Sequence, residues 1–366
     1  MKKFRSFILF VLVLSSTIAY SQTVEPPSGK LSGVFFMDYY YNAARDTGYQ
    51  SLPNRAISGN EGVHGLQIRR IFLTYDYKLN SKFSSRFRLE SDEANFTSNL
   101  GGDKAMKFGV SVKDAFVKWN FYKKHDLYIG LQHTSAFEVS EMIWENRYIE
   151  KTIMDIRGIV STREMGISLR GSLDSTGKFK YWLMYGNGNS NLPESDKYKR
   201  FYAQTELNLA KNLYISLFAD FQARSEFENP LQPTEKLANN IITTAFFAGY
   251  KVKDKFSLGA EMFLKITQNG YRPADNYINS NTLGLSLFGT YYFSPKTNIY
   301  GRYDIFNPNT DSNVTGDSRN LIIAGFAYKP NEKLIISPNI LMETYEDMGR
   351  TVSNSVTTRI TFSWAF

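Results

Sequence analysis

The sequence predicts an all-β chain: a transmembrane, up-and-down antiparallel β-barrel of about sixteen strands. Three observations predict it. Apolar and polar residues alternate with a period of two, connections alternate between short and long, and large aromatics mass at strand ends. The final stretch "VTTRITFSWAF" shows the pattern. Val356, Ile360, Phe362, Trp364 and Phe366 share one face, and Thr357, Arg359, Thr361 and Ser363 share the other. An arginine in mid-strand needs water on its own side, so the apolar side has to meet something else.

Composition sets the frame. The 366 residues include no Cys, 24 Tyr and 28 Phe, with 42% hydrophobic residues. Mean hydropathy is nonetheless only −0.34. The one long apolar run, "FILFVLVLSSTIAY", follows Lys2, Lys3 and Arg5 and ends at Ala19, Tyr20 and Ser21. Residues 1–21 therefore read as a cleaved Sec signal and 22–366 as the barrel domain. A membrane anchor is the alternative, but the run falls short of the ~20 apolar residues of a spanning helix. Without Lys2, Lys3 and Arg5 the formal charge drops from +8 to +5, too mild a balance to imply nucleic acid. No disulfide can form.

Sixteen strands follow in order, near 30–42, 66–79, 82–95, 106–121, 126–132, 162–171, 179–187, 199–209, 212–224, 240–251, 255–268, 280–293, 297–306, 319–329, 333–343 and 355–366. No helix-length segment of 3.6-residue period appears among them. "LYISLFADF" sets Leu213, Ile215, Leu217, Ala219 and Phe221 against Tyr214, Ser216, Phe218 and Asp220. "KFSLGAEMFLKI" and "KFSSRFRLESD" alternate in the same way. Short turns ("NSK", "KKHD", "AK", "KDK", "SPKT", "NEK") trade places with longer polar stretches at 43–65, 133–161, 225–239, 269–280 and 344–354. Tight turns at one end and long loops at the other mark an outer-membrane barrel. A soluble β-sandwich would also alternate. It has less use for long strands ending in Trp119, Phe121 and Tyr122, in Tyr291, Tyr292 and Phe293, or in Trp364 and Phe366, where an aromatic girdle belongs. Lipid then faces Val356, Ile360, Phe362, Trp364 and Phe366, and Arg359 faces a wet lumen.

The blocks "VKDAFVKWNF" (112–121), "LYIGLQHTSAFEVSEMIWENRYIEKTIMD" (127–155), "REMGISLRG" (163–171), "YWLMYGNGN" (181–189) and "YGRYDIFNPN" (300–309) follow one another in an order that resembles the phosphate-selective porin O/P family, in its divergent Bacteroidetes-type form. The resemblance implies a sixteen-stranded porin in the outer membrane of a Gram-negative bacterium, trimeric in most members, whose third external loop enters the barrel and sets a constriction. Residues 133–161 match that loop in position. Ser135-Ala136-Phe137 replaces the family's Pro-Phe-Gly-type turn, and no full arginine ladder or lysine cluster can be placed. "TFSWAF" resembles the terminal signal, here Trp364 and Phe366, that barrel-assembly machinery reads.

Strand phase gives the expected pore lining. Arg70, Arg86, Arg88, Lys118, Arg200, Arg302 and Arg359 fall on polar faces, together with Glu90, Asp92 and Asp304. Other charges share those faces, Lys333 and Arg224 among the bases, and the two signs nearly balance. This fits a pore that passes small hydrophilic solutes and ions with a weak anion preference, phosphate among the candidates. Arg86 and Arg88 either present a local positive step or are neutralised by Glu90, Asp92 or neighbouring carboxylates. In the loop, Phe137, Glu138, Glu141, Trp144, Arg147, Glu150, Lys151 and Arg157 would set both signs across a narrowed pore. An ordinary solvated surface loop is the alternative, and Ile143, Trp144 and Ile149 argue for insertion.

An enzyme is not expected. His64, His125 and His133 fall in separate stretches with no nucleophile at recognisable spacing, and neither metal-ligand spacing nor a phosphate-cradling Gly loop is visible. No cofactor is implied. A barrel that docks proteins or serves secretion is the competing class. The expected partners are outer-membrane lipid and lipopolysaccharide, small hydrophilic or anionic solutes, assembly machinery and two further copies in a homotrimer.

Overall fold

The computed structural model describes residues 26–46, 59–92, 109–274, 276–347, 349 and 351–366. The proposed leader at 1–21 and parts of the 43–65 and 82–121 stretches lie outside them. Sixteen antiparallel strands close a barrel: β1 (Ser28–Ala44), β2 (His64–Lys78), β3 (Phe83–Asp92), β4 (Ser111–Tyr122), β5 (His125–His133), β6 (Arg163–Ser172), β7 (Phe179–Gly186), β8 (Arg200–Ala210) and β9 (Leu213–Gln222), then β12 (Ile241–Val252), β13 (Phe256–Tyr271), β14 (Ile278–Ser294), β15 (Thr297–Asn307), β16 (Arg319–Asn331), β17 (Leu334–Tyr345) and β18 (Ser355–Ala365). Between β9 and β12 the 225–239 stretch forms an extra hairpin, β10 (Phe227–Asn229) with β11 (Gln232–Leu237), outside the barrel sheet. Its two short strands were not legible by period.

The turns behave as their sequences dictate. In "NSK" the Asn80 side chain accepts from the N–H groups of Lys82 and Phe83 at 2.9 Å each, and in "NEK" Asn331 accepts from Lys333 and Leu334 at 2.8 and 3.0 Å. Lys333 thus belongs to a turn and not to a strand face. Lys124, Asn212 and Asp254 take left-handed conformations that let two- and three-residue turns match strand twist.

Burial is inverted relative to a soluble protein. On β18, Thr357, Arg359, Thr361 and Ser363 are buried, while Ile360 and Trp364 are exposed; Trp119, Phe121, Tyr122, Tyr291, Phe293 and Phe366 are exposed as well. β1 closes on β18 with Phe35 opposite Trp364, and Phe366 exchanges backbone hydrogen bonds with Gly33 at 3.0 Å in both directions. The Phe366 ring lies over Gly33, where a Cβ would be only 2.1 Å from the ring.

The inner face departs from the expected uniform polarity. Phe36, Phe247, Phe263, Phe288, Tyr300, Phe306, Leu321, Ile323 and Leu341 are buried there. The phase also slips between Arg70 and Ile68 opposite β1, so Arg69 and Arg70 are both buried, and again at Lys113 of β4, which has no partner position on β3.

If the apolar outer face meets hydrocarbon, Leu287→Arg in the middle of β14 should destabilise the barrel by about 2–4 kcal/mol. Denaturant unfolding in lipid vesicles would measure the loss, and an unchanged midpoint would contradict this orientation.

Candidate functional site

The connection between β5 and β6 carries its own structure: a 3-10 turn at Ser135–Phe137, then α1 (Glu138–Trp144) and α2 (Ile153–Ile156). These helices of seven and four residues are too short to show a helical period in the sequence. Val139, Ile143, Trp144, Ile149, Ile153 and Met154 are almost wholly buried. Ile143, Trp144, Tyr148 and Ile149 pack with Phe36, Phe247, Phe288, Tyr300, Leu321 and Leu341, whereas Phe137, Ile153, Met154, Ile159 and Val160 pack with Trp182, Tyr202, Phe218, Phe263 and Phe306. These partners lie along one run of the barrel from β7 round to β1, and β15 supplies a residue to each group, Tyr300 and Phe306. Two glycines make the fit possible. A Cβ on Gly249 would lie 2.9 Å from an Ile143 carbon, and one on Gly284 would lie 3.1 Å from Ile153 and 2.2 Å from Phe263.

Polar anchors complete the seat. Arg157 binds Glu343 at 2.6 Å with both side chains fully buried, and Arg359 lies 3.6 Å from Glu150. Arg302 donates to the Lys151 carbonyl and lies over Trp144, and Arg69 donates to the Tyr148 carbonyl while pairing with Asp38. Asn146 donates to Thr290 at 2.9 Å. Arg302, Asp304 and Arg359 therefore occupy the inner face but are covered by this segment. Arg200, chelated by Asp220 at 2.9 Å, is likewise buried. Trp144 and Arg157 belong to the seat as well.

Open space remains on the other side. A cavity of about 320 Å³ is lined by Arg70, Arg86, Arg88, Lys113 and Arg163 on the wall and by Phe137, Glu138, Glu141, Arg147 and Asp155 on the segment. It meets a second cavity, of about 420 Å³, at Arg86 and His133, with Lys118 among the lining residues there. Arg86 binds Asp76 at 2.7 Å, and Asp114 is shared by Arg163 at 2.5 Å and Arg88 at 3.4 Å. Glu90 and Asp92 pair with Arg70, and Glu90 also with Lys113. The neutralising carboxylates of Arg86 and Arg88 thus come from neighbouring strands and not from Glu90 or Asp92.

Across the cavity, Arg147 bridges Glu141 at 2.8 Å and Asp155 at 2.9 Å. Burial alone would push the Asp155 carboxyl up, but Arg147, Lys151, Arg70 and Lys113 outweigh it and hold it below the ordinary carboxylate value. Sequence reasoning missed Arg69, hidden by the bulge, as well as Lys113 and Arg163. Arg163 sits at the first position of β6, where a loop residue is hard to tell from a strand residue. Of the three histidines, His64 at the start of β2 is hydrogen-bonded with the Tyr39 hydroxyl at 3.2 Å, His125 at the start of β5 with the Tyr181 hydroxyl at 2.9 Å, and His133 lines the lumen.

Solved structures share this architecture. The outer membrane channel DcaP of Acinetobacter baumannii superposes with a TM-score of 0.66 at 12% identity, covering 95% of this chain and 99% of that one. The fold is that of a porin. An anion-selective porin from Comamonas acidovorans matches at 0.64 and 12% identity (93% and 100% covered), and OmpT of Vibrio cholerae, in its trimer form, at 0.59 and 13% (93% and 100%). No family model and no curated protein matches the chain by sequence. A closed sixteen-stranded barrel with an apolar outer belt is built for the outer membrane of a Gram-negative bacterium, and this chain carries that belt.

Arg157→Ala leaves Glu343 buried without its bound cation, a loss of about 3–5 kcal/mol from the seat. Trypsin should then cut the folded barrel at Arg147 or Lys151, and continued resistance would show that the apolar contacts suffice alone.

Proposed function

We propose that the chain is an outer-membrane porin through which small hydrophilic solutes and ions diffuse with a weak anion preference, and that the β5–β6 segment sets its constriction. One observation carries this reading. The space left beside the segment is lined by six Arg and Lys side chains against three carboxylates. Several of those cations already share buried acids, so the residual field favours anions without excluding cations. The ordered sequence blocks that resemble the phosphate-selective O/P porins favour phosphate among those anions. The anion-selective neighbour from Comamonas acidovorans and the trimeric OmpT favour the same preference and a homotrimer. On this reading residues 1–21 are a Sec leader, lipopolysaccharide and lipid surround the belt, and Trp364 and Phe366 are read by assembly machinery.

Two measurements test it. Excising 138–155 should raise single-channel conductance in planar bilayers and admit larger solutes, because a bare sixteen-stranded wall encloses a wide aqueous channel. Unchanged conductance in folded protein would remove the segment from the path. Arg86→Glu with Arg88→Glu should move the reversal potential in a salt gradient towards cations. The shift should be largest at low salt, since screening acts over ~10 Å at 0.1 M. A folded variant with unaltered selectivity would mean that Asp76 and Asp114 already cancel both guanidinium groups.

A further inference from the structure

Within the 320 Å³ cavity the carboxylates are not equivalent. Glu141 and Asp155 are both held by Arg147. Glu138 is exposed at the start of α1 and, among the described residues, makes no ion pair or hydrogen bond. It borders this cavity and also a third one, of about 370 Å³, in which Arg170 is stacked between Trp182 and Tyr128 at 3.5 and 3.8 Å from the ring centres.

The wall that also lines Glu138's cavity has the opposite character. Arg86 engages Asp76 through Nε and Nη2, Arg88 engages Thr74 and Asp114 through Nε and Nη1, and Arg163 engages Asp114 and the Thr162 carbonyl through Nε and Nη1. Each guanidinium keeps one terminal amine that donates to no described residue. The cavity thus offers three spare charged donors from the wall and, from the segment, one carboxylate that makes no contact pair among the described residues and faces the Arg170 charge across the third cavity. Its volume holds about ten waters, enough for an amino acid of a few carbons.

From this pairing of unspent charges we propose that the cavity favours zwitterionic solutes of amino-acid size, with their carboxylate on Arg86, Arg88 and Arg163 and their ammonium on Glu138. A simple anion gains only the wall and is repelled by Glu138. A neutral solute gains neither. A solute that carries both charges satisfies the two sides at once and crosses the narrow region with its hydration replaced on each. The inference rests on the channel reading above and goes beyond its weak anion preference.

The test is swelling of liposomes that contain the purified barrel, in isosmotic L-alanine and in lactamide, a neutral solute of matching size. The wild-type protein should admit alanine faster than lactamide. Glu138→Gln should lower the alanine-to-lactamide ratio about fivefold, the effect of one unit charge about 4 Å from another in a water-like medium. Glu138→Asp, which keeps the charge, should retain most of the excess. In a potassium chloride gradient Glu138→Gln should also move the reversal potential further towards anions. A wild-type ratio at or below one, or a ratio that Glu138→Gln leaves unaltered, would overturn the inference while leaving a working channel. Swelling in neither solute would overturn the channel reading and this inference with it.

Discussion

Hydrocarbon offers a backbone N–H nothing to bind, and the architecture follows from that constraint. Each strand needs a hydrogen-bonded neighbour on both sides, so the sheet has to return on itself, and β1 meets β18 along most of its length. Closure separates an outside from an inside and assigns every alternate residue to one or the other. The apolar residues that would form the core of a soluble protein then lie at the surface, as the exposed Leu258, Leu287 and Ile360 do. The polar residues turn inward, where they either meet water or have to be paired.

Much of the interior is packed. The β5–β6 segment supplies apolar side chains to a wall that carries its own Phe, Tyr, Leu and Ile, and the two together make a packed core inside the barrel. Buried Arg157 with Glu343, and Asp38 with Arg69 and Arg359, are arranged as charges in a protein interior must be, with partners in place. The open cavities lie instead against β1–β8, and the cations of β2, β3, β4 and β6 gather around the first of them. The segment thus determines which part of the wall is left uncovered.

The wall was legible in the sequence because a period of two leaves a strong trace over ten residues or more, and all sixteen strands overlap their expected positions. Side-chain phase was legible for the same reason and failed where regularity failed: at the bulge that turns Arg69 inward with Arg70, and at Lys333, which the Asn331 turn removes from its strand. Which inward charges meet open space was not legible. Arg302 and Arg88 look alike in sequence, yet one is covered by Trp144 and Lys151 and the other lines the cavity, and the difference lies in a segment distant in the chain. Phe247 and Phe288 could not be assigned inward by pattern either, since an inward Phe makes sense only once something apolar is known to cover it.

The seat of the β5–β6 segment also bears on closure of the barrel. Arg157 reaches Glu343 on β17 and Glu150 reaches Arg359 on β18, so the segment touches the last strands to emerge as well as those beside it in sequence. Within the closed barrel Trp144 settles against Phe288 and Tyr300. The complete seat therefore exists only with β17 and β18 in place, so packing of the segment and closure of the seam stabilise one another.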